Sequence, residues 1–87
     1  MKGRYIKMLI KVTHYDDGMA VVLHTFKANE VRMMTTDTFG GMREMGDRWT
    51  QYHGCKKEDR GTCFVVETRN CISHVFPKDA EARIMAE

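Results

Sequence analysis

At 87 residues, with 43% apolar and 30% charged residues, the chain is long enough for one domain with a modest core and too evenly composed for global disorder. A formal charge of +2 is too small to demand a nucleic-acid partner. No apolar run approaches the roughly 20 residues of a membrane span and no apolar leader opens the sequence, so the expectation is a cytoplasmic single domain over residues 1–87, with no membrane partner.

The clearest pattern is residues 5–26. Ile6, Met8, Ile10 and Val12 recur with period two while Lys7, Lys11 and Thr13 fall between them, the alternation of a half-buried strand. Asp17-Gly18 suits a two-residue type I′ turn, in which both central residues need positive φ. With that turn Val12 is expected opposite Leu23, Ile10 opposite Thr25 and His14 opposite Val21. Residues 30–36 alternate weakly and predict a third strand continuing the meander, although Ala28, Glu30 and Arg32 with Met33 and Met34 also tolerate a helix.

Asp37 or Thr38 is a plausible N-cap for a helix. Phe39, Met42, Met45, Trp49 and Tyr52 follow at threes and fours and predict an amphipathic helix ending near Gly54, weakened by Gly40, Gly41 and Gly46. Residues 53–61 read as a charged loop. Residues 63–68 predict a strand with Phe64 and Val66 on one face, Arg69-Asn70 a turn, and 71–76 a returning strand. Pro77 suits the first turn of a short C-terminal helix over 78–87, docked through Ile84 and Met85. The expected class is α+β: a small antiparallel sheet of four to five strands in the order β-β-β-α-β-β, one amphipathic helix on one face, and the short C-terminal helix.

Three cysteines, Cys55, Cys63 and Cys71, are an odd number without a secretion signal, so reduced thiols are expected rather than a disulfide framework. With His53 and His74 they form the only set resembling metal ligands. No Cys-x-x-Cys knuckle exists, and a strand over 71–76 would turn Cys71 and His74 to opposite faces. The expectation is therefore no metal and no other cofactor, with Cys63 and Cys71 as small core side chains and the histidines on the surface. No nucleophile–base signature, carboxylate pair or glycine-rich phosphate loop is present, so the reading is non-enzymatic.

The charge distribution says more than the total. Lys2, Arg4, Lys7 and Lys11 all precede the first acid at Asp16. If Ile6, Met8, Ile10 and Val12 face the helix, the opposite face carries Tyr5, Lys7, Leu9, Lys11, Thr13 and Tyr15, joined from the second strand by Ala20, Val22, His24 and Phe26. An apolar group rimmed by cations fits a protein-binding patch, and the contacts expected to carry it are Tyr5, Lys7, Leu9, Lys11, His24 and Phe26. The same face offers an alternative, stacking of RNA or single-stranded nucleic acid, with Lys56, Lys57 and Arg60 as phosphate contacts. The hairpin could also pair with another copy to make a homodimer. A third reading is a small metal- or thiol-dependent protein using the cysteines and histidines.

A very short, methionine-rich domain without catalytic apparatus resembles, in size and style rather than in motif, the small accessory proteins that bacteriophages encode to bind and block a host factor, such as anti-CRISPR and other anti-defence proteins. That resemblance implies a surface-occupying inhibitor. It covers no particular residues and transfers no site.

Overall fold

The computed structural model describes residues 7–38, 49–55 and 61–86. Among them seven strands form two sheets. One has three strands in the order β2-β1-β7, from β1 (Met8–Asp16), β2 (Met19–Lys27) and β7 (Glu81–Ala86). The other has four strands in the order β3-β5-β6-β4, from β3 (Val31–Thr38), β4 (Thr50–Tyr52), β5 (Thr62–Thr68) and β6 (Ser73–Pro77). All pairings are antiparallel except that of β4 with β6.

The sheets pack through one face each. Ile10, Val12 and Phe26 from the first and Val66 and Phe76 from the second are 0–4% exposed and form one cluster, with Leu23, Phe64 and Ala82 packed against it. Side chains of this kind each contribute about 1.5–3 kcal/mol by leaving water. A second cluster, Cys63, Val65 and Val75, lies on the other face of the four-stranded sheet beside Tyr52 and Cys55. That split follows from the pleat: Phe64 and Val66 alternate with Cys63 and Val65, so both faces of β5 carry apolar side chains.

Among the described residues the expected α+β fold is corrected to strands in two sheets, with one 3-10 turn and no α-helix. The C-terminal segment is β7, not a helix. Ala80 N–H bonds to the Pro77 carbonyl at 3.0 Å, closing a turn, and Glu81–Ala86 then pairs with Met8–Thr13. Six residues of good helix composition gain little as an isolated helix, whereas beside β1 one edge of their backbone is hydrogen-bonded and Ala82 reaches the core. The helix expected from residue 39 lies mostly outside the described residues, and its described end is not helical. Thr50–Tyr52 is β4, parallel to Ser73–Val75. The third strand does not continue the meander either. A 3-10 turn at Ala28–Glu30 carries the chain to the other sheet, where β3 pairs with β5.

The hairpin forms with the expected turn: Asp17 and Gly18 have φ of 51° and 80°. Its register agrees only near that turn. His14 faces Val21, but a bulge after Val12 leaves Leu23 as an extra residue, and beyond it Val12 faces His24 and Ile10 faces Phe26. The expected pairs Val12 with Leu23 and Ile10 with Thr25 are thereby corrected. The bulge exchanges Thr25 for Phe26 on the buried face, which favours it by about the transfer energy of a phenyl side chain. Gly54 accommodates the extra residue. A Cβ there would sit 3.2 Å from Leu23 Cδ1, and its φ is 70°.

Candidate functional site

The bulge decides which side chains share the outer face of the three-stranded sheet. Across it run Lys27, Leu9 and Met85, then Thr25, Lys11 and Arg83, then Val22, Thr13 and Glu81. Tyr15 lies opposite Ala20 nearer the turn. Lys7 is exposed just before β1. Leu9 and Lys11 are half-buried, whereas Tyr15, Val22 and Met85 are exposed large apolar or aromatic groups. Lys11 and Arg83 thus separate two apolar groups, Leu9 with Met85 beside Lys27 and Val22 with Tyr15 nearer the turn, and Arg83 lies 3.8 Å from the Glu81 carboxylate.

Of the residues expected to form this face, Lys7, Leu9 and Lys11 occur together. His24 and Phe26 do not join them. Phe26 is 2% exposed in the core cluster, and His24 lies on the inner face with it. Tyr5, Lys56, Lys57 and Arg60 lie outside the described residues. Lys27, Arg83 and Met85 were missed because the register and the C-terminal element were misread. The available signal was Phe26 itself, since burying a phenylalanine in place of Thr25 requires a one-residue slip.

The inner face holds a second arrangement. His24, His53 and His74 bring their rings to centroid distances of 4.8, 5.0 and 5.1 Å. His53 also stacks on Phe76 at 4.8 Å, and His74 meets the edge of Phe26 at 4.8 Å. His53 Nε2 lies 2.9 Å from His74 Nδ1. One ring N–H donates to the other's lone pair, which needs two neutral imidazoles or one cation, never two. Burial, and secondarily the charge His24 would carry, lowers the His53 pKa. Burial first, then His53 and His24, pushes His74 down to about 4.

These positions correct the expectation of surface histidines and core cysteines. His74 is 7% exposed and His53 half-buried, while Cys71 is exposed in the turn before β6, at φ 67°. Cys63 is buried as expected and Cys55 is half-buried. Among the described residues no group of three or more His, Cys, Asp or Glu side chains could hold a metal ion.

Beside the imidazoles opens a cleft of about 540 Å³. The buried Phe26, His74 and Thr68 lie deep in it, and Asn29, Glu30, Gln51, Arg69 and Asn70 stand at its rim. One backbone and one side-chain bond tie Arg69 to the Ala28–Glu30 turn across that rim. Arg69 N–H donates to the Glu30 carbonyl at 2.9 Å, and Arg69 Nε donates to the Asn29 carbonyl at 3.0 Å. The Thr68 hydroxyl lies within reach of Asn70 Oδ1 and of the Ile72 carbonyl, holding the β5–β6 turn. No helix among the described residues is long and apolar enough to cross a membrane. No protein-family model, curated protein or solved structure matches the chain.

Proposed function

We propose that the chain is a non-enzymatic binding protein that docks an acidic surface of a protein partner on the outer face of β2-β1-β7. The observation that carries this reading is the row of Lys11 and Arg83 beside Lys27, set against exposed Met85, Val22 and Tyr15. The apolar and aromatic groups would bury area on either side of Lys11 and Arg83, and the cations would steer an acidic partner and exclude basic ones. The action is occlusion, in the manner of a small inhibitor that covers a partner's working surface. RNA binding through this face is the weaker reading, because His24 and Phe26 lie on the inner face and the stacking platform loses two of its rings.

The test is a pull-down with the wild-type chain, a Lys11→Glu/Lys27→Glu variant, and a Lys78→Glu variant whose exposed change lies off this face. The proposal expects one protein retained, after nuclease treatment, by the wild type and Lys78→Glu but lost by the double variant. Equal retention by all three would remove this face from consideration. Recovery that collapses with nuclease would transfer the weight to nucleic acid, and that binding would fall steeply with salt through counterion release.

A further inference from the structure

The cleft on the inner face is unused by the docking surface, and its chemistry is different. Its interior is aromatic: the Phe26 ring and the His24 and His74 imidazoles meet at 4.5–5.0 Å. Among the described residues its rim offers one cation, Arg69, and one carboxylate, Glu30, together with the amides of Asn29, Gln51 and Asn70. The two charges cancel, so the cleft does not select a net anion.

Each rim group is partly committed, and the commitment leaves a defined remainder. Arg69 spends Nε on the Asn29 carbonyl, which fixes the plane of the guanidinium and leaves its Nη groups as donors. Glu30 accepts from Lys27 N–H through Oε1 at 3.3 Å, leaving Oε2 as an acceptor. A ligand that answers these groups is flat, uncharged in its ring, and carries acceptors on one edge and donors on the next. We propose that the cleft binds a guanine base, with its ring against the half-buried His24 imidazole above the buried Phe26 and His74, its O6 and N7 accepting from Arg69, and its N1–H and N2–H₂ donating to Glu30. Arg to the O6/N7 edge is the commonest side-chain pairing for guanine, and aromatic stacking is the general means of holding an unpaired base. A volume of about 540 Å³ lies within the usual span of small-molecule sites and leaves room for the sugar, with any phosphate directed to solvent.

The test is a titration of the ¹⁵N-labelled chain with GMP, AMP, CMP and ribose 5-phosphate, reading amide shifts of Asn29, Gln51, Arg69 and Asn70. A guanosine-containing tetranucleotide is titrated in parallel. Saturable shifts confined to these amides are expected with GMP, weaker ones with AMP and CMP, and none with ribose 5-phosphate. Glu30→Gln should erase most of the preference for GMP over AMP. Arg69→Lys, which keeps the charge but not the fork, should weaken GMP by about tenfold. Both variants alter exposed side chains, and their amide spectra report whether the fold is kept. A tetranucleotide that binds more tightly than GMP would identify the source as a base within a strand, and equal affinities would identify it as the free nucleotide. Absence of saturable shifts with any guanine ligand at millimolar concentration, or equal shifts from ribose 5-phosphate, would overturn the proposal. Neither result bears on the outer face, which shares no residue with the cleft.

Discussion

The two faces of the three-stranded sheet are built from the same backbone and have opposite characters. The inner face carries Ile10, Val12, His24 and Phe26, closed against the second sheet, whose His74 meets His24 at 5.0 Å. The outer face carries Lys11, Lys27 and Arg83 with exposed Val22 and Met85. What separates them beyond Val12 is one residue, Leu23, because a strand slipped by one position exchanges its faces. A single bulge therefore decides both what stabilises the molecule and what it presents to a partner.

The comparison is sharpened most by changing adjacent residues of β2. Phe26→Ala should cost about 3–5 kcal/mol, the usual loss for a fully buried phenylalanine, and a chain of this size would lose much of its stability. Urea unfolding checks it, and a loss below about 1 kcal/mol would mean that Phe26 is not in the core. The next effect is on pH. His74 is held neutral, its pKa lowered from 6.5 to about 4, so the unfolded chain takes up a proton more readily than the folded one between those values. That contribution to stability is full above pH 6.5 and is lost as pH falls toward 4, by roughly 2–3 kcal/mol. Urea midpoints across that range should fall for the wild type and fall less for His74→Gln.

Smaller effects test the bulge and the outer face. Gly54→Ala places a methyl against Leu23 at a positive φ and should cost about 1–2 kcal/mol, read as a drop in melting temperature. Lys27→Ala, one residue from Phe26, should change stability by less than about 0.5 kcal/mol, since an exposed strand cation has little to lose. A Lys27→Ala cost rivalling that of Phe26→Ala would erase the distinction between the faces.

The first hairpin turn was readable because Asp17-Gly18 announces its own geometry, the strand around Ile10 because its alternation is clean, and the strand around Val66 because a short apolar run of β-forming residues ends at the Arg69-Asn70 turn. The C-terminal strand was not readable from composition. Ala80, Ala82 and Ala86 favour a helix, and only the partner strand β1, 68 or more positions earlier in the chain, supplies the ladder that overrides them. The bulge leaves no local mark, since Leu23 fits a strand as well as its neighbours do. The cleft was invisible for a similar reason. Glu30 and Arg69 are 39 positions apart and meet only because the Ala28–Glu30 turn carries the chain between sheets.

The most direct test of the account is the cross-strand register of the first hairpin, measured from backbone nuclear Overhauser contacts. The account predicts contacts of Ile10 with Phe26 and of Val12 with His24, together with His14 to Val21 on the turn side of Leu23. Contacts of Ile10 with Thr25 and of Val12 with Leu23 would mean a regular hairpin. His24 and Phe26 would then lie beside Lys11, and both the basic docking face and the imidazole-floored cleft would have to be abandoned.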